Sequence, residues 1–250
     1  MDKSLIISRF SKSAQSYNSD AEAQQQVARR MIELLQPYVE NDVRRVVEIG
    51  CGTGVYSRLL IDTFTPQQFT INDICETMKQ HCADILAHNN HSFIACDAEQ
   101  WELPQQIDLL TSCSTLQWFQ HLDVVFQKAH TALNDHGIFA FSTFGKENLR
   151  EISTLTGHSL RYTTLAELSE TLSQIGFSVL CAQEEKIVLT FNTPKDVLVH
   201  MKRTGVNGIA KQKWTKSTLQ RFSEHYIAHF SVDSGKISLT YHPMYFILKK

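Results

Sequence analysis

The chain has 250 residues, 42% of them hydrophobic, and a formal charge of −2 from 24 basic and 26 acidic side chains. That length suits one domain with an elaboration or two small domains, and the near-balanced charge argues against a generic nucleic-acid binder. No stretch approaches the roughly 18 consecutive apolar residues of a membrane span.

The 6 cysteines include no C-x-x-C pair and the 11 histidines are scattered. Buried free thiols in a reducing cytoplasm are therefore expected, with no disulfide framework and no metal site. The leading residues, MDKSLIISRFSKSAQSY, have no long apolar core and no small-residue cleavage site, so they do not read as a secretory leader.

Residues 1–18 are polar with few helix or strand cues, and Arg9, Phe10 and Tyr17 stand out in them. The spacing predicts a helix from Ser19 to Val39, capped by Ser19 or Asp20. Val27, Met31, Leu34, Leu35 and Tyr38 form its apolar face, and Pro37 lies near its end. A segment ahead of a first strand can fold over a ligand. Tyr17 and Phe10 are thus candidate lid residues, with plain packing against the domain as the alternative.

The stretch Val46 to Tyr56, VVEIGCGTGVY, carries most information. A short apolar run meets Glu48 and then Gly50, Gly52 and Gly54 at alternate positions. The run reads as a buried parallel strand, and the glycines let the backbone turn sharply against a ligand. Helical spacing follows from Val55. Strand, glycine turn and helix make the ligand-binding corner of an open α/β sheet. The dinucleotide fingerprint G-x-G-x-x-G is not met, because Val55 stands where its third glycine belongs. Glu48 would oppose a pyrophosphate but suits a cationic or hydroxyl-rich ligand.

Two further runs end in acids. Phe69 to Asp73 places Asp73 23 positions after Gly50, near the spacing of a carboxylate on ribose hydroxyls. Phe93 to Asp97 ends a third strand, with Ala98 and Glu99 beside Asp97; there Asp97 would accept from an adenine amino group. One acid at a strand end is weak evidence, since acids also cap helices. Three in register are stronger.

Residues 46–144 alternate as 46–50, 55–63, 69–72, 76–88, 92–96, 107–112, 121–133 and 137–144. This order predicts a mostly parallel sheet with helices on both faces. The fourth strand runs into Ser112-Cys113-Ser114-Thr115-Leu116-Gln117-Trp118-Phe119, a loop at the carboxyl edge where ligands sit. Ser112 and Gln117 join the candidate cofactor residues there, and Gln117 and Trp118 are placed to face a reaction partner. A helix over Thr163–Ile175 stops at Gly176. A strand at about 178–191 and a last one at about 237–248 follow, with Pro243 suggesting a bulge or a sheet edge.

Between these strands lies an insertion, residues 192–235, with helices over Pro194–Arg203 and Lys216–Phe230. From 192 to 221 it holds seven basic residues against the single acid Asp196, a local excess that suits an anionic partner or substrate. The organisation expected is thus an arm at 1–40, a binding core at 41–191, a basic helical insertion at 192–236 and a last core strand at 237–250.

This pattern resembles class I S-adenosylmethionine-dependent methyltransferases of the Rossmann-like, seven-stranded type. Within them it is similar to the carboxyl O-methyltransferases that act on malonyl-acyl-carrier protein early in biotin synthesis. The likeness is carried by Arg9-Phe10 with Ala14, Tyr17 and Ala21, by EIGCGTG, by SCSTLQWF, by FSTFGKENLREI at 141–152, by KRTGVNG at 202–208 and by TYHPMYFILKK. The glycine motif alone fits many methyltransferases, whereas STFG, LQWF and RTGVNG together are selective. Asn72 before Asp73 departs from the small or apolar residue usual there.

The resemblance implies S-adenosylmethionine as cofactor and an acidic acyl-carrier protein bearing a malonyl thioester as partner, with no nucleic acid or membrane and a monomer. A malonyl carboxylate is ionised at pH 7, so no general base is needed. Arg203 is the candidate to orient that carboxylate, with Lys202 facing out, and Tyr17 and Trp118 would shape the methyl channel. Another acid, a quinone or a polyketide as acceptor, or a non-catalytic RNA-associated module, are the competing expectations.

Overall fold

The computed structural model describes residues 3–40, 43–206, 215–233 and 235–250. Nine strands are present among them: β1 (Arg45–Ile49), β2 (Gln68–Asp73), β3 (His91–Ala95), β4 (Ile107–Ser112), β5 (Leu133–Phe144), β6 (Ser178–Glu184), β7 (Ile187–Phe191), β8 (Ile237–Tyr241) and β9 (Pro243–Lys249). Seven form one sheet in the order β3-β2-β1-β4-β5-β9-β6, with β1 to β5 parallel and β9 antiparallel to both neighbours.

Both faces of this sheet are covered, and side-chain alternation sorts the residues between two cores. Val46 of β1, Ile138 and Ala140 of β5, and Tyr245 and Ile247 of β9 pack on one side. Val47, Phe139, Phe141, Phe246 and Leu248 pack on the other. Such a two-sided strand reads in sequence as a continuous apolar run, which is why β1 and β5 were legible without alternation.

The helices are α1 (Lys3–Asp20), α2 (Glu22–Leu35), α3 (Val55–Phe64), α4 (Met78–His81), α5 (Leu122–Ala132), α6 (Arg150–Thr156), α7 (Leu165–Ile175), α8 (Pro194–Arg203) and α9 (Lys216–Phe230). None of the described helices is long and apolar enough to cross a membrane. Good local chemistry starts the later ones. Thr164, Thr193 and Thr215 each close a capping box on the backbone N–H three residues on.

Several expectations need correction. Residues 3–20 are helical, and the predicted Ser19–Val39 helix is broken at Ala21, whose ψ of 49° turns the chain between α1 and α2; the N-cap position of α2 is Ala21. The predicted 76–88 helix is a single turn, α4, and a 3₁₀ turn at Ile85–Ala87, because Arg58 Nη2 captures the His81 carbonyl at 2.7 Å and both its Nε and Nη2 hold Asp84. The 178–191 strand is two strands, β6 and β7, and the last strand is also two, β8 and β9. The predicted 137–144 strand begins at Leu133. Pro243 lies at no sheet edge; it opens β9 between two neighbours, a first-residue position where its missing N–H is tolerated.

β7 and β8 pair as a separate antiparallel ribbon, Ile187 opposite Tyr241 through Phe191 opposite Ile237. This ribbon continues β6 and β9 out of the sheet and roots α8 and α9 between its strands. His242, at the joint between β8 and β9, is fastened to the loop after β5. The Gly145 N–H donates to its carbonyl, the Glu147 N–H to its Nδ1, and its own N–H to Asn148 Oδ1 at 3.2 Å. Glu151 of α6 is fully buried and accepts from the Thr240 N–H and from the Ser238 and Thr240 hydroxyls, which fixes α6 on β8.

Candidate active site

Two cavities lie side by side at the carboxyl edge of the sheet. The larger, about 1150 Å³ including its open mouth, is lined by the β1 corner, the tips of β2 and β3 and the inner face of α1. The smaller, about 420 Å³, lies between the β4 and β5 loops and the root of the insertion. Phe10, Tyr17, Gln24, Ser114 and Trp118 line both and form the wall they share.

The glycine turn shapes the larger cavity. Gly50, Gly52 and Gly54 all take positive φ, at 74°, 52° and 80°, the left-handed region that disfavours a Cβ. A Cβ on Gly50 would stand 2.2 Å from Thr115, so that turn closes against the β4 loop. A Cβ on Gly52 would meet nothing within 4 Å: it points into the cavity, where a ligand approaches the bare backbone. The Gly52 N–H donates to Asp73 Oδ2 at 2.9 Å and the Cys75 N–H to Oδ1 at 2.8 Å. These bonds hold the Asp73 carboxylate rigid at the tip of β2.

Glu48 lines the same cavity and is almost wholly buried, with Oε2 lacking a hydrogen-bond partner. Burial pushes its carboxyl up to about 8, and the neighbouring Asp73 adds to this. Asp73 is likewise raised, mainly by burial. Asp97 and Ala98 line the far end, where the Lys3 ammonium pairs with Asp97 and Glu99. A buried acceptor with nothing to accept is an unfinished interaction, so the cavity is built for a ligand rich in donors.

Six of the nine predicted cofactor residues line the larger cavity: Glu48, Gly50, Gly52, Asp73, Asp97 and Ala98. Three do not. Gly54 sits at the N-cap of α3, facing Arg58, Ile85 and Cys82. Ser112 points back between strands and donates to the Ile49 carbonyl at 2.9 Å; the loop that follows β4 gives the cavity Cys113, Ser114 and Thr115 instead. Gln117 lines the smaller cavity, its Nε2 donating to the Ser114 carbonyl and its Oε1 buried without a partner.

Tyr17 and Trp118 stand in the shared wall, Trp118 edge-on to Phe10 with ring centroids 5.6 Å apart. Arg203 is elsewhere. Val197, His200 and Met201 are on the buried face of α8, followed by the buried C-cap Thr204, an arrangement that turns Arg203 outward, more than half exposed and paired with Asp20 at 3.4 Å. It lines neither cavity. Of the KRTGVNG motif, Asn207 and Gly208 lie outside the described residues, as do Lys211 and Lys213 of the basic stretch.

Residues that sequence reasoning passed over include Lys3, Asn148 and Tyr162. Lys3 had a signal: Ile6, Phe10 and Ala14 recur at helical spacing, which marks α1 and the face it turns to the cavity. Asn148 and Tyr162 had none, since β8 and β9 bring them into place from far along the chain. The histidines are also less scattered than the sequence reading takes them to be. His225 and His229 stand one turn apart on α9 with rings stacked at 6.1 Å, yet no group of three potential ligands forms among the described residues.

The model of the family described as a methyltransferase domain matches residues 20–182, which makes this chain a member of that class. A putative methyltransferase from Bacillus halodurans superposes with a TM-score of 0.65 over 88% of this chain and 98% of its own, at 14% identity. The malonyl-[acyl-carrier protein] O-methyltransferase of Bacteroides thetaiotaomicron is 44% identical over 100% of this chain and 99% of its own length. The Bacteroides fragilis protein of the same name is 48% identical over 99% of this chain, which spans 50% of that longer relative. The chain belongs to the malonyl-[acyl-carrier protein] O-methyltransferase family.

Proposed function

We propose that this protein methylates the free carboxylate of a malonyl group carried as a thioester on acyl-carrier protein, using S-adenosylmethionine. The observation that carries this reading is the pair of adjoining cavities, one acidic and glycine-bounded, the other uncharged, with Tyr17 and Trp118 between them.

The residues fit the cofactor. Gly52 leaves open space where a Cβ would stand, Glu48 presents an unpartnered oxygen, and Asp73 is braced by two backbone N–H groups with lone pairs to spare. Asp73 would take the ribose hydroxyls and Asp97 the adenine amino group, exchanging Lys3 for it. Glu48 would take the positively charged methionine end. Bound there, S-adenosylmethionine would supply a methyl group on a positive sulfur to an ionised carboxylate, with the bonding pair left on sulfur and no proton transfer required.

The protein's work is therefore positional and dielectric. α1 and the wall residues hold the two ligands in line and keep water out, which favours a step that annihilates charge. The excess positive charge of residues 192–221 would guide an acidic carrier protein to the rim of the smaller cavity. Mass spectrometry of malonyl-carrier protein incubated with S-adenosylmethionine should show the gain of one methyl group. Methylation of free malonate or another acid, with the carrier thioester untouched, would sink the reading.

A further inference from the structure

The smaller cavity is lined by aromatic, amide, hydroxyl and aliphatic side chains, and among the described residues none of them is charged. A carboxylate taken into such a space without a counter-ion is strongly disfavoured. Two features of the structure compensate. The first is a neutral donor. Asn148 Oδ1 accepts from the His242 N–H, so its Nδ2 is turned toward Tyr162 and donates to the phenol oxygen at 2.8 Å. With its oxygen engaged as acceptor, the hydroxyl hydrogen of Tyr162 is left to donate, and the described residues offer it no other partner. Burial raises the Tyr162 phenol to about 12, which keeps that hydrogen in place at any working pH. The second feature is position. The cavity shares a wall with the cofactor cavity, so a positive charge there lies next to whatever enters it.

We infer that the acceptor carboxylate is held by the Tyr162 hydroxyl, aimed by Asn148, and is neutralised by the cofactor's own positive sulfur rather than by a protein cation. Tyr162 is the substrate-binding group and Asn148 a positioning residue. This arrangement avoids the drawback of an arginine in the pocket, which would repel the sulfonium and weaken the nucleophile. It also makes acceptor binding depend on the charge of the cofactor. The inference rests on the carboxyl-methyltransferase reading above.

The test uses malonyl-pantetheine, which removes carrier docking, and calorimetry on the whole protein. Loaded with sinefungin, which carries an ammonium in place of the methylsulfonium, the protein should bind this probe roughly tenfold more tightly than when loaded with S-adenosylhomocysteine, whose sulfur is neutral. Tyr162→Phe should weaken binding and raise KM roughly tenfold or more, the loss of one hydrogen bond to a charged group, with cofactor affinity and Tm unchanged. Asn148→Ala should weaken binding in the native background and do little in the Tyr162→Phe background. Equal affinity with the two cofactor analogues, or an unaltered Tyr162→Phe, overturns the inference. An unmutated protein that leaves malonyl-carrier protein unmethylated defeats the functional reading instead.

Discussion

Glu48 shows how one carboxyl can report on both stability and binding. Ordinarily it titrates near 4.5, whereas here burial holds it protonated to about 8. Between those values the folded chain keeps a proton that the unfolded chain has released, so stability falls as pH rises. The contribution is complete below about 4.5 and gone above about 8. Glu48→Gln should flatten the decline of Tm across pH 5 to 8 in the ligand-free protein, with the raised Asp73 accounting for what slope is left. A ligand that brings donors or positive charge to Glu48 favours its ionised form, so binding at pH 7 should release a proton. Calorimetry in buffers of different ionisation enthalpy would measure it, and no buffer dependence would count against Glu48 as a cofactor ligand. Glu48, Asp73 and Asp97 were legible because strand ends in a parallel sheet converge on one edge. Ser112 is the last residue of β4 and its hydroxyl turns to the β1 backbone, while Arg203 turns out from α8 to Asp20, orientations that spacing alone cannot detect.

At the scale of elements, α1 is the part that the sequence reading undervalued. Its apolar residues meet a small cluster of Cys75 and Met78, apart from the two large cores. Phe10 reaches further: its ring lies edge-on to Trp118 and 3.0 Å from where a Cβ on Gly205 would be. One side chain thus couples α1, the β4 loop and the C-terminal end of α8. Because this packing lies outside the main cores, Phe10→Ala should lower Tm by only a few degrees while reducing kcat several-fold. Hydrogen exchange in residues 3–20 should speed up and be slowed again by S-adenosylmethionine. An unchanged exchange rate would show that the ring does not hold α1 down. The helical spacing of Ile6, Phe10 and Ala14 was visible, but the many polar residues between them masked it, since α1 buries only a narrow stripe.

For the molecule as a whole, the parallel core was readable from the order of its runs, because each buried strand is an apolar word with glycine or acid at its end. The C-terminal third was harder. Strand pairs such as Ile187 with Tyr241 join residues on either side of the insertion, and local pattern says nothing about distant pairing. The insertion's charge, by contrast, is purely a matter of composition. With seven basic side chains against one acid over 192–221, kcat/KM on malonyl-carrier protein should fall steeply between about 50 and 500 mM salt, as rim electrostatics are screened. On malonyl-pantetheine it should change little. Equal salt responses for the two substrates would show that the basic surface does not dock the carrier.

The placement of β9 has a consequence for how the protein is made. Residues 243–249 fill the slot between β5 and β6 and are hydrogen-bonded on both sides, yet a ribosome produces them after both neighbours. Until they emerge, β5 and β6 each present an unpaired edge, the feature most apt to recruit another nascent chain. The nascent protein should therefore need chaperone cover until these residues emerge, and a stall just before them should leave it prone to precipitate.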